Sequence, residues 1–487
     1  MPAIITNKFR IHNSEQFKES FSEAAGNIYY LGIGRPSPFN TATRADGRTD
    51  NLGTDIIPIT PADNNNVESI TFDDLLAAKR ISSSDIAFVA PRRNWISGTV
   101  YDIYRHDYGE RITGTSTQQS ANSGVFNLYD ANFYVLNSQR NVYKCLDNNN
   151  NNPAGSTVEP TGTDTIVLST ADGYKWKYMY TLSASEQSNF LSTDFMAVST
   201  NSSISSNAVD GAIDIVKIKT AGSGGADGTH ANIPIRGDGT GGVVSVTVAS
   251  GAVTAVNVTT PGSGYTFGTI SNAQIVAAGA TNLVGAELDV IIPPKGGHGF
   301  NALQELGAFF VMTNVSLEGT ESANSGDVTV ANDFRRVCLI RDPKSGGSPA
   351  SANTLRATRA VQLTGVSGSF SVDEKITQSS TGAVGIVVEW DSTNSLLYYV
   401  QTKYNDEGID ANGNQTQFSG TNVITGAGGA SGTPVTSSGT VNNVIINSGY
   451  SVPEIDHDSG DVLYVENRAP ITRAADQTEN IKLIIEF

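Results

Sequence analysis

Chemistry in this sequence could reside in its histidines, in one glycine-rich triplet, or in a short run of acidic and amide side chains. The five histidines are His12, His106, His230, His298 and His457. No two stand at the i,i+4 or short-loop spacing of a metal-binding pair, and HExxH is absent. His106 and Asp107, beside Arg105, have the residue types of an acid/base pair. Their setting, YDIYRHDYG, is a tyrosine-rich extended segment entering a turn, which reads as a packed polar edge. His298 in PPKGGHGF is flanked by glycines that would leave it accessible, and a partner contact or a backbone hydrogen bond is expected there.

Gly237, Gly239 and Gly242 spell G-x-G-x-x-G. That fingerprint cradles a pyrophosphate only when a helix follows it, and here VVSVTV follows, which alternates like a strand. Asp410, Asn412 and Asn414 have the spacing of a calcium loop. Position 415 is Gln where the loop needs Gly, and turn chemistry accounts for the three. Neither GxSxG nor a Walker A motif occurs. The acidic residues number 48, but the separation that defines a glycosidase carboxylate pair is a distance in space and cannot be read from sequence. No catalytic residue, metal ligand or cofactor site is assigned, and the chain reads as a non-enzyme.

Two arginine groups carry more information. PRRNW places Arg92 and Arg93 beside Trp95, and ENRAPITRAADQTEN contains Glu466, Arg468 and Arg473. Arginine pairs bidentately with carboxylates and stacks on aromatics. Each group suits either an intrachain bridge that pins a loop or a subunit interface.

The elements that would position these residues follow from composition and pattern. Charged residues are 16% of the chain, against roughly 25% in ordinary domains. Gly, Asn, Ser and Thr supply the polarity, and they favour turns and strand surfaces over helices. The predicted fold is mainly β with a few short helices, as several antiparallel, β-sandwich-like domains. The net charge of -17 opposes binding to nucleic acid. Cys145 and Cys338 read as buried small hydrophobes, with a long-range bridge left open. The absence of a signal-like segment or an 18-residue apolar run predicts a soluble, cytoplasmically made protein without membrane insertion.

Along the chain, a short strand is expected at Ile4–Phe9, then a helix from a Ser14 cap through Ala25, then a strand in IYYLGIG. Thr71 and Asp74 suggest a capping box for a helix ending near Lys79, and Ser183 with Glu186 suggests another. SGTVYDIY, NVYKCL and YKWKYMYTL read as strands. VVSVTVASGAVTAVNVTT is a hairpin with Val244, Val246 and Val248 on one face and a turn at Ser250-Gly251. PGSGY is a turn. ALQEL is a short helix before a strand, and FRRVCLIRDP is a strand.

Several stretches together resemble a known family. Ile5 to Arg10 and Tyr30 to Phe39, then PRRNW, NVYKCLD, DGYKWKYMY, KGGHGF and the C-terminal GDVLYVENRAPITRAADQTENIKLIIEF, are similar in order and spacing to the homodimeric wedge subunit at the baseplate periphery of contractile-tailed, myovirus-type bacteriophages. The resemblance covers 1–200, 291–345 and 445–487. It implies a structural virion component without a cofactor, assembled in the host cytoplasm. That component pairs with itself and joins other wedge proteins and the proteins of tail-fibre attachment. It makes Arg35, Arg92, Arg93, Trp95, Arg468 and Arg473 candidates for anchoring or interface roles. The expected division is 1–201 core, 202–290 inserted β domain, 291–349 core, 350–440 second inserted β domain and 441–487 C-terminal core strands. A glycan-binding role for the insertions, with Tyr265, Tyr398 and Tyr399 as exposed platforms, is the alternative.

Overall fold

The computed structural model describes residues 4–23, 27–39, 53–112, 114–320, 328–329, 332–402, 407–473 and 478–487. It is mainly β, with many antiparallel sheets and a barrel. The chain forms two compact units, one of residues 1–16, 87–312 and 484–487, the other of 17–86 and 313–483.

The first unit is organised by a four-stranded sheet in the order Tyr134–Leu136, Asn141–Asn148, Tyr174–Thr181, Val167–Ser169. Both faces of this sheet are covered. Val142, Leu146 and Tyr180 join one apolar cluster with Phe133, Met196 and Met312. Tyr143, Cys145, Tyr174 and Trp176 join another with Tyr101 and Val135. Alternation along a strand sends successive side chains to opposite faces, so covering both faces makes NVYKCL buried throughout. The helix Ala184–Phe190 begins at the Ser183–Glu186 capping box read from sequence.

In the same unit, Ile215–Ser223 pairs antiparallel with Val284–Ile291, Ile215 lying opposite Ile291. Gly228–Pro234, Val243–Ala249 and Ala252–Thr260 form a three-stranded sheet. Val244, Val246 and Val248 are buried as the period-2 pattern predicts, each stabilising by about 1.5–3 kcal/mol. Ser250 and Gly251 both have positive φ, 52° and 79°, the conformation of a two-residue hairpin turn that matches strand twist.

The second unit contains a five-stranded sheet in the order Thr354–Arg356, Leu75–Ile81, Tyr29–Gly34, Phe334–Arg341, Asp461–Ile471. It also contains a closed barrel. Arg359–Ser367, Leu396–Val400, Ala383–Asp391, Lys375–Gln378, Ile424–Gly426 and Ser431–Pro434 pair in turn, and the last returns to the first. Closure leaves these strands without a free edge, around Val361, Ile376, Val387, Leu397 and Ile424.

Four sequence expectations fail. Ile4–Phe9 is not a strand: a helix runs Asn7–Glu19. Ser14 is buried inside it rather than capping it, and its hydroxyl donates to the carbonyls of Ile11 and Ala308. The expected end at Ala25 lies outside the described residues. LLAAKRI is a strand, Leu75–Ile81, preceded by a helix Asn65–Asp73 capped by Asn64. Leu75 to Ala78 are buried between Tyr29–Gly34 and Thr354–Arg356, so packing overrides the helical preference of Leu and Ala. SGTVYDIY forms no ladder strand, although Tyr101, Ile103 and Tyr104 are buried.

Candidate functional site

The chemistry-bearing side chains are mostly consumed by one another. In the first unit Arg105 donates from Nε and Nη2 to both Asp107 oxygens, at 2.8 and 2.7 Å, and from Nη2 to Asp289 at 2.6 Å. Burial opposes ionisation of Asp107, but Arg105 holds its carboxyl below the ordinary value. His106 accepts at Nδ1 from the Ile292 amide at 3.3 Å. The acid/base-like triplet therefore clips Val284–Ile291 and the residue after it to the segment at 105–107. In the second unit His457 is held between two carboxylates, with Nε2 at 2.8 Å from Asp73 and Nδ1 at 2.9 Å from Asp458. Both ring nitrogens are engaged, so neither is left to act on a substrate.

The glycine triplet is a socket for a ring. Tyr265 is buried and donates its hydroxyl to the Ile235 carbonyl at 3.0 Å, while Gly242 N donates to that hydroxyl at 3.1 Å. A Cβ on Gly239 would lie 2.4 Å from the Tyr265 ring, and one on Gly242 would lie 2.9 Å from its hydroxyl. The expectation that Tyr265, Tyr398 and Tyr399 are exposed platforms is wrong, for all three are buried. Asp410 accepts from the amides of Asn412 and Asn414 at 2.8 and 2.9 Å, which is turn chemistry. Among the described residues no group of three or more His, Cys, Asp or Glu is placed to hold a metal ion. Both cysteines are free and buried. Burial pushes both thiols up, Cys338 to about 12.

Arg92 donates to the Ser192 carbonyl at 2.7 Å and to Asn94 at 2.9 Å. Arg93 donates to the Tyr129 carbonyl at 3.0 Å and lies 4.8 Å over the Tyr134 ring. Trp95 donates from its indole to Ser156 at 3.1 Å. PRRNW thus reaches three separate segments of its own unit. Arg35 is buried at a positive φ of 54°, over the Phe39 ring at 4.2 Å. Arg473 is buried and donates from Nε to both Glu479 oxygens at 2.7 and 2.9 Å. Glu466 accepts from Tyr464 at 2.8 Å. Arg468 is half-buried on the edge strand Asp461–Ile471.

His298 is buried, contrary to the expected access, and no hydrogen bond is made at its Nδ1. The glycines around it permit close approach rather than opening a path. A Cβ on Gly297 would meet the Val209 carbonyl at 2.3 Å, and one on Gly299 would meet Ile204 at 2.5 Å. The ring stands edge-to-face on Tyr104, with centroids 4.8 Å apart. Burial, then Lys144 and Lys177, hold its pKa well below the ordinary value.

Beside His298 lies an ion pair that sequence reasoning missed. Lys144 is fully buried and bonds the Glu305 carboxylate, which also accepts from the amides of Gly299 at 2.8 Å and Asn301 at 3.2 Å. The two residues are 161 positions apart, and no local pattern joins them. In the second unit Arg336 bonds Asp74 at 2.7 Å, again with both side chains buried.

Asp172 ties the turn at 170–174 to the segment 156–158. It accepts from Thr170, from Ser156 and from the amides of Thr157, Val158 and Tyr174. Burial raises its pKa, but the bonds from Thr170, Val158, Thr157 and Tyr174 outweigh that and hold it below 3.8. Its stabilisation is therefore present above that value and lost as pH falls through the lower folded pKa. Asp172→Asn should lower the urea midpoint at neutral pH and flatten its acid limb as pH falls through 3.8 and below. An unchanged acid limb would remove Asp172 from the pH response.

No helix among the described residues is long and apolar enough to cross a membrane. Compared with known proteins, residues 3–215 match the family model described as bacteriophage T4 Gp8, under half of the 487 residues. No curated protein matches the chain.

Proposed function

We propose that this chain is a structural subunit of a contractile-tail phage baseplate wedge, acting in assembly and rearrangement of the baseplate rather than in turnover. The observation that carries the reading is the match of residues 3–215 to bacteriophage T4 Gp8, which supports a baseplate role in the virion tail. The mainly β fold agrees with it. In this reading the chain is made and assembled in the host cytoplasm. It pairs with a second copy of itself and connects wedge backbone proteins to those of tail-fibre attachment.

The division into a core and inserted β modules at 202–290 and 350–440 belongs to the same proposal. The family match ends at Ile215, the first residue of the strand that pairs with Val284–Ile291. That coincidence supports an insertion there. Intrachain bonds of Arg92, Arg93 and Arg473 support anchoring roles for them. Among the described residues Asp461–Ile471 is the edge of its sheet, with Leu463 and Tyr464 exposed. An unpaired edge is available for association, and this supports assigning self-pairing to the strand that carries Glu466 and Arg468.

The test is sedimentation of the purified chain with capture of its partners from infected cells. A dimer that becomes monomeric in Leu463→Asp, and recovery of other wedge proteins, are expected. A monomeric wild type would overturn self-pairing, and failure to recover any tail protein would overturn the baseplate role.

A further inference from the structure

A cavity of about 620 Å³ in the first unit is lined by Lys175, Lys177, Asp214 and His298, with apolar walls that include Val167, Val258 and Pro261. Lys175 and Lys177 are two apart on one strand and so share a face. Lys177 lies opposite Lys144 in the ladder, so two buried cations are cross-strand neighbours. Glu305 compensates Lys144, and Lys177 donates to the Thr165 carbonyl. The enclosed cations Lys144 and Lys177 stand against two carboxylates, Glu305 and Asp214, and Lys175, partly exposed, adds a third positive charge at the rim of the cavity. That rim cation is free to meet an anionic group entering the space.

One residue of this lining carries an unpartnered polar atom. His298 is buried, and its Nδ1 has no hydrogen-bond partner. Burial raises the Asp214 pKa against the pull of Lys177, Lys144 and Lys175. Buried polar groups in folded proteins are normally satisfied, and an unsatisfied one marks water or a ligand. The volume exceeds what a single inorganic ion fills. Asp214 would repel a compact anion yet accept hydrogen bonds from hydroxyl groups, and the aliphatic walls suit C–H faces.

We propose that this cavity binds a small monoanionic, polyhydroxylated ligand, the class of uronic-acid sugars. The carboxylate sits toward Lys175 and Lys177, and the hydroxyls face Asp214 and His298. The proposal goes beyond the baseplate role, and its failure would leave that role untouched.

The test is calorimetric titration of the full chain with glucuronate, alongside glucose as the neutral control and acetate and inorganic phosphate as charge controls. Saturable glucuronate binding, with each control at least about tenfold weaker, is expected. Lys175 is partly exposed, so Lys175→Gln should leave the unliganded melting temperature unchanged and weaken glucuronate by about tenfold. The His298 imidazole ¹⁵N resonances should move on binding. No glucuronate binding overturns the proposal and leaves water as the occupant. Equal binding of acetate or phosphate reduces the site to an adventitious ion only, and equal binding of glucose removes the charge argument. Unaltered affinity in Lys175→Gln moves the ligand elsewhere and likewise overturns the assignment.

Discussion

Glu305→Ala should destabilise the first unit by about 3–5 kcal/mol, because it strands the Lys144 ammonium without its counter-charge in a site that excludes water. Lys144 is wholly enclosed, and burial already presses its pKa below the ordinary value against the pull of Glu305. The same carboxylate holds the amides of Gly299 and Asn301, so truncation also orphans backbone donors. The double variant Lys144→Met with Glu305→Gln removes the charge and keeps an acceptor for those amides. It should recover most of the loss, since buried pairs replaced by neutral groups are often close to neutral in stability. Trp95 and Trp176 belong to the first unit and Trp390 to the second. Urea unfolding followed by tryptophan fluorescence in a Trp390→Phe background therefore isolates the relevant transition. Equal losses in the single and double variants would exclude the stranded charge as the cause.

Trp176→Ala is expected to cost a similar amount, about 3–5 kcal/mol, for a different reason. The ring is fully buried, stacked on Tyr174 at 5.6 Å and 17° and edge-to-face with Tyr101 at 5.6 Å. Its removal leaves a void between the strand Tyr174–Thr181 and the segment at 101–104. The indole N–H has no hydrogen-bond partner. Trp176→Phe loses volume but also removes that unpaired donor, so it should cost only about 1 kcal/mol. Urea midpoints read by far-ultraviolet circular dichroism compare the two. A phenylalanine variant as unstable as the alanine one would show that the indole nitrogen is not a liability.

These two sites separate what the sequence made legible from what it did not. Val244, Val246 and Val248 announced their hairpin because one face is solvated, and alternation survives in the residue types. Ser183 and Glu186 announced a helix start because the capping box is local. NVYKCL and LLAAKRI lie in sheets buried on both faces, where alternation disappears. The first is recognisable by its β-branched and aromatic residues, while the second has the residue types of a helix. Ser14 was misread because a hydroxyl inside a helix and one at its cap have the same sequence signature. The Lys144–Glu305 pair and the cavity beside His298 arise from contacts across long separations. The glycines near His298 were legible as glycines but not as tight packing, since what fills the space left by a missing Cβ comes from Val209 and Ile204.

The pairing of Ile215 with Ile291 has a mechanical consequence. A segment whose first and last strands are zipped side by side presents its two ends to the host at one spot. Tension carried along the surrounding sheets would have a route past that spot that leaves the intervening residues out. Were the load applied across the two ends themselves, the ladder would peel open one pair at a time from Ile215 and Ile291 instead of resisting in shear. On the baseplate reading proposed above, such a segment would be a passenger in a particle under load, able to vary in sequence and size without altering the stiffness of the path beside it.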